Sequence, residues 1–216
     1  MKSLLKIALI FAIVVLANSC RKESLIPEIP NPEPIDHAKD FLKVERIDTP
    51  SDYFITGKFD GKAITFATTP YADYDDSSDW NALFLNEGIN LDQINLVREN
   101  KDRSIHLAII ISQANLLKRQ LPFQIPTKNQ PGSEIVDVQL INLNRMQEVE
   151  EQGSNERDFM FDGSNVNQSL QIQVTRFIDN TLEGTFEGTL STESGSTIAV
   201  KNGRFRIKIN RIIYGN

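Results

Sequence analysis

From Tyr53 to the end of the chain, apolar and polar residues alternate with a period of two, the signature of strands with one buried face. Tyr53–Phe59 and Lys62–Thr68 flank Asp60-Gly61. That pair predicts a two-residue hairpin turn, because both central residues of a type I′ turn need positive φ. Asn81–Asn86 predicts a short strand. Ile94–Arg98 and Ser104–Gln113 predict a hairpin across residues 99–103. In Ser104–Gln113, Ile105, Leu107, Ile109 and Ile111 share one face, while Ala108 and Ile110 lie on the other. Apolar residues on both faces predict a central, covered strand. Glu134–Asn144 follows, with Val136, Val138 and Leu140 on one face.

The last fifty residues carry the clearest pattern. Ser169–Ile178 alternates Leu170, Ile172 and Val174 with Gln171, Gln173 and Thr175. Leu182–Leu190 places Leu182, Gly184, Phe186, Gly188 and Leu190 on one side and Glu183, Thr185, Glu187 and Thr189 on the other. Gly184 and Gly188 beside Phe186 predict a bend or room for large facing side chains. Thr197–Lys201 and Arg204–Ile213 are expected to pair across a second tight turn at Asn202-Gly203. About nine or ten hairpin-connected strands predict an all-β domain, an antiparallel β-sandwich or a partly closed barrel. Gln113–Gly132 breaks the pattern with Leu116, Leu117, Leu121, Phe123 and Ile125 among three prolines. A helical turn plus an extended piece closing one end of the core is expected there. The acidic run Glu148–Glu151 and the residues through Asp158 read as a loop.

The N-terminal region follows different rules. Lys2 and Lys6 precede Ile7–Leu16, ten apolar residues in a row. A bilayer-spanning helix needs about 20, so residues 1–19 read as a cleaved export signal. Ala17-Asn18-Ser19 then leads to Cys20, the single cysteine of the chain. This arrangement resembles a bacterial lipoprotein signal, and the resemblance implies acylation of the Cys20 thiol after cleavage before it. Leu16 stands one place further from the cysteine than that pattern has it. Ala17 and Ser19 also suit ordinary signal cleavage. Arg21-Lys22-Glu23 lacks the Asp that marks inner-membrane retention in many such lipoproteins, so the resemblance implies the outer membrane, on its periplasmic or cell-surface side.

Residues 20–50 hold five of the nine prolines, Pro27, Pro30, Pro32, Pro34 and Pro50. Proline lacks an N–H and fixes φ, so this stretch is expected to be an extended tether. At about 3.1 Å per residue it would reach roughly 90 Å. Residues 51–216 are expected to form one domain. The strand pairs around Tyr53–Lys62 and Gly184–Phe205 resemble lipoproteins of Gram-negative bacteria that carry a β-sandwich or barrel domain of unknown function. That resemblance brings no catalytic residues.

Composition narrows the function classes. The 216 residues carry 23 Lys+Arg against 29 Asp+Glu, a net charge of −6. Loss of residues 1–19 removes Lys2 and Lys6 and no acid, which takes the mature chain to −8. A polyanion needs a basic surface, so no nucleic-acid partner is expected. One cysteine excludes a disulfide framework, and one cysteine with two histidines excludes a Cys/His zinc cluster. No Gly-x-Gly phosphate fingerprint is present.

The densest cluster of functional side chains is Tyr71 to Trp80. Asp73, Asp75, Asp76 and Asp79 are hard oxygen donors suited to Ca²⁺, although their spacing does not match an EF-hand. Tyr71, Tyr74 and Trp80 could stack on a sugar face. A solvated acidic loop is the plainer reading. His37 falls in the tether, and His106 falls in a strand, where a core or rim role is expected. Three functions follow in order. The first is a lipid-anchored, non-catalytic binding or structural module with the membrane as its partner through the anchor. The second is a carbohydrate-binding accessory lipoprotein using Tyr71–Trp80. The third is a hydrolase using paired carboxylates.

Overall fold

In the computed structural model, the described residues are 39, 42, 51–70, 81–86, 91–125, 134–167 and 169–215. The chain divides into two units, Met1–Ile35 and Asp36–Asn216. Every described residue belongs to the second, and the described residues are mostly strand, with one α-helix among them.

Among the described residues there are twelve strands: β1 (Phe54–Phe59), β2 (Lys62–Phe66), β3 (Ala82–Asn86), β4 (Leu91–Glu99), β5 (Ile105–Ser112), β6 (Phe123–Ile125), β7 (Ile135–Asn142), β8 (Met160–Ser164), β9 (Leu170–Ile178), β10 (Thr181–Ser191), β11 (Thr197–Lys208) and β12 (Arg211–Gly215). They form one sheet in the order β12-β3-β4-β5-β7-β8-β10-β11-β1-β2, with β9 on β10 and β6 on β9. Every pairing is antiparallel except β12 with β3, which run parallel. Beyond β2, Thr68 exchanges two backbone hydrogen bonds with Glu99 at the end of β4 (3.0 and 2.8 Å). That bridge returns the path from β2 to β4, so the sheet curls into a partly closed barrel.

Local chemistry explains the turns. Asp60 and Gly61 have φ of 47° and 84°, the positive values expected at a type I′ turn. The Asp60 carboxylate also accepts from the Ala199 N–H at 2.7 Å, tying the hairpin to β11. Asp179 and Asn180 turn β9 into β10 with φ of 50° and 57°. Asx side chains tolerate this left-handed conformation better than most.

The inward faces build one core. Ile55 and Phe59 of β1, Phe66 of β2, Leu107 and Ile109 of β5, Phe186 of β10 and Phe205 and Ile207 of β11 are all buried in it. Phe59 and Phe66 meet edge to face, with centroids 5.7 Å apart. Gly184 faces Phe205 so closely that a Cβ would lie 2.3 Å from the ring. The glycine makes room for the facing phenylalanine. β5 lies between β4 and β7 and is buried on both faces through Ile109, as its two apolar faces predict.

Two expectations need correction. The first concerns Asn202-Gly203, which is not a turn: β11 runs unbroken through it. Instead it is a β-bulge. β11 spends three steps from Gly203 to Val200 where β10 spends two, from Phe186 to Gly188. The same excess faces β1 between Thr56 and Lys58. Asn202 takes φ 54° within the strand. Asn-Gly satisfies a left-handed position equally well in a turn or a bulge, and here partner strands on both sides hold the chain straight. The second concerns Glu148–Glu151, which are not loop but the last turn of α1 (Leu143–Glu151), a helix that also takes Leu143 and Asn144 from the end of the expected strand Glu134–Asn144. The Asn142 side chain caps it by accepting from the Arg145 N–H at 3.1 Å. Only Val149 is buried in α1, too little to leave a helical hydrophobic period in the sequence.

The Gln113–Ile125 region behaves as expected of a core closure. Asp92 accepts from the backbone N–H groups of Asn115 and Leu116, both at 2.9 Å, holding the turn after β5. Ala114, Leu116, Phe123 and Ile125 are buried in the core, and Arg119 stacks over the Phe123 ring at 4.1 Å.

Candidate functional site

The bulge shapes the outer face of the sheet. In a regular strand one of Lys201 and Asn202 would point inward; the extra residue turns both outward while Val200 and Gly203 stay inside. Gly203 is required there, because a Cβ would lie 2.3 Å from the Phe186 carbonyl oxygen. Two concavities flank the bulge. One, of about 360 Å³, is lined by Gln124, Gln171, Gln173, Thr185, Glu187 and Arg204. The other, of about 480 Å³, lies along Ser169, Thr189 and Lys201. Gln171, Glu187 and Asn202 line both, so the two adjoin, and together they are called the trough.

Strand register supplies the side chains of this trough. Gln124 of β6 pairs with Gln173 of β9, Gln173 with Thr185 of β10, and Thr185 with Arg204 of β11. Arg204 pairs with Thr56 of β1, and Thr56 with Thr65 of β2. Six polar residues therefore stand in one row across six strands, at the roughly 4.8 Å strand spacing. Gln171 and Glu187 begin a second row beside it. Arg176 and Arg206 nearby both pair with Glu183, at 3.6 and 3.3 Å. Among the described residues, the side chains of Gln124, Gln171, Gln173, Asn202 and Arg204 enter no hydrogen bond or ion pair.

A second polar cluster lies where the path closes. Glu99 and His106 face each other across β4 and β5, each 7% exposed, with Nδ1 3.7 Å from the carboxylate. Arg103 donates to Glu99 and to the Thr69 carbonyl, both at 3.1 Å. The adjacent Arg98 is 4% exposed and points to the core side, opposite Leu107. Its Nη1 donates to the Val97 carbonyl at 2.8 Å, but its Nε has no partner among the described residues. Burial lowers its pKa to about 10. These charged groups clamp the end of β4 to Thr68 and Thr69; they assemble no nucleophile with a base. His106 is buried against Glu99 on the face of β5 opposite the core, at the rim where the path closes.

The residues singled out in the sequence fall mostly elsewhere. Cys20, His37, Tyr71, Asp73, Tyr74, Asp75, Asp76, Asp79 and Trp80 lie outside the described residues. Both flanks of the Tyr71–Trp80 segment are fixed to β4. Thr68 bridges to Glu99, and the Asn81 side chain accepts from the Val97 N–H at 2.9 Å. Among the described residues, no group of three His, Cys, Asp or Glu could hold a metal ion. The trough was not foreseen. Each of its residues was legible as an outward strand position, but their alignment depends on pairings between distant strands.

Comparison with known proteins found no matching family model, no matching curated relative and no matching solved structure.

Proposed function

We propose that the chain is a lipid-anchored lipoprotein of the cell envelope whose β body is a non-catalytic binding module. The anchor rests on Cys20, the only cysteine, placed directly after Ile7–Leu16 and three short residues. Acyl chains on that thiol, each buried CH₂ contributing about 0.8 kcal/mol, would hold the chain on a bilayer. A mature chain at net −8 has no use for anionic lipid, so the lipid supplies the attachment. The binding role rests on the trough beside the bulge, where Gln124, Gln171, Gln173, Asn202 and Arg204 are gathered without side-chain partners among the described residues.

The test is palmitate labelling in a Gram-negative host, followed by mass spectrometry of the mature N-terminus. The wild type is expected to label and to start at an acylated Cys20, and Cys20→Ala to lose the label. A wild-type chain whose mature form carries a free thiol, or none at all, overturns the anchor.

A further inference from the structure

We infer that the trough on the outer face of β6, β9, β10 and β11 binds a neutral polysaccharide laid across the strands. This deepens the reading of the body as a binding module and rests on it. Three observations carry the inference.

The first is the row Gln124, Gln173, Thr185, Arg204, Thr56 and Thr65, in register across six strands. Its spacing of roughly 4.8 Å is close to the length of a sugar ring. Thr56 and Thr65 at the far end of the row bond each other at 2.9 Å, so a glycan running perpendicular to the strands would meet a fresh polar side chain on each of β6, β9, β10 and β11.

The second is the chemistry of the unspent groups. A carboxamide offers two donors and an acceptor, and a hydroxyl offers one donor and two acceptors. Gln124, Gln171, Gln173 and Asn202 can thus pair with sugar hydroxyls in either sense. Arg204 and Lys201 add donors only. Glu187 offsets one of their two charges, and the acidic chain as a whole disfavours a polyanion. An extended peptide is recognised through its backbone at a strand edge; the trough lies on the pleated face, where only side chains are offered.

The third is that the concavity is built by a specific device. The bulge turns Asn202 into the trough at a left-handed φ of 54°, which a continuous strand gains nothing by adopting. Each of the two concavities lies in the range of ligand sites, about 300–1,000 Å³.

The test is affinity electrophoresis of the mature chain in native gels cast with dextran, xylan, galactomannan or mixed-linkage β-glucan, and with polygalacturonate as the charged control. Retardation is expected in at least one neutral gel, with the dissociation constant rising about tenfold in Gln171→Ala/Gln173→Ala as two amide contacts are lost. Gln139→Ala, on the outer face of β7, is expected to bind as wild type. Because all these side chains point outward, circular dichroism and the urea midpoint should be unchanged in each variant. No retardation in any neutral gel overturns the inference, as does retardation in polygalacturonate alone. Binding lost in Trp80→Ala but kept in the Gln171/Gln173 double variant moves recognition to the Tyr71–Trp80 segment and overturns it too. The anchor is tested separately: a palmitate-labelled chain that is never retarded sinks the glycan alone, and a retarded chain without acyl groups sinks the anchor alone.

Discussion

Replacing Arg98 by Met should make the protein more stable, although it removes a buried charge and a hydrogen bond. Arg98 lies on the core side of β4 opposite Leu107, 4% exposed, with its Nε unpartnered among the described residues. Burial lowers its pKa from 12.5 to about 10. At about 1.36 kcal/mol per unit, keeping this guanidinium charged in the folded state costs about 3 kcal/mol. Losing its bond to the Val97 carbonyl costs about 1–2 kcal/mol in return. Met fills similar volume without a charge and adapts to irregular space. The expected net is a gain of about 1–2 kcal/mol at pH 7, read as a higher urea midpoint with an unchanged m-value. The pH dependence has a definite sign. The folded pKa lies below the unfolded one, so the penalty is full at neutral pH and falls as pH rises through about 10. The gap between variant and wild type should therefore narrow in alkaline buffer. A loss of more than about 2 kcal/mol in Arg98→Met would refute the reasoning, because it would mean that the guanidinium has an anionic partner worth more than its desolvation.

Three further outcomes follow from the packing. Gly203→Ala puts a Cβ 2.3 Å from the Phe186 carbonyl and should cost about 1–3 kcal/mol in urea unfolding, more than the same change at Gly61, where nothing lies within 4 Å. Asn142→Ala removes the cap of α1 and should lower stability by about 1 kcal/mol, with Asn142→Asp recovering most of it. Asp137 has its pKa raised, first by burial and then by the nearby Asp162. Its ionisation therefore destabilises the fold above the raised pKa, so Asp137→Asn should be the more stable form at pH 7, and thermal melts should converge with wild type as pH falls toward about 4.

The strands were legible because their signal is local. Leu170, Ile172 and Val174 face the core and Gln173 and Thr175 face outward, as alternation alone requires. The Asp60-Gly61 turn was legible for the same reason, since positive φ at two adjacent residues is a property of those residues. Helix α1 was hidden because one buried side chain, Val149, makes no periodic stripe, and its main local cue, the Asn142 cap, sits at the end of a strand. The parallel pairing of β12 with β3 joins residues more than a hundred positions apart and leaves no mark in the sequence near either.

Asn202-Gly203 shows where local chemistry ends. The dipeptide by itself determined that the backbone would turn left-handed at this point, because only a few residue types bear that conformation cheaply. Whether the chain would then reverse or bulge and continue was decided by β10 and β1, which pair with β11 on both sides of Asn202 and hold it extended. The trough has the same origin. Gln124, Gln173, Thr185, Arg204, Thr56 and Thr65 were each set outward by their own strand's alternation. They became neighbours only when the sheet's register brought six strands from across the domain into one row, since hydrogen bonding between strands, and no property of any one segment, sets that alignment.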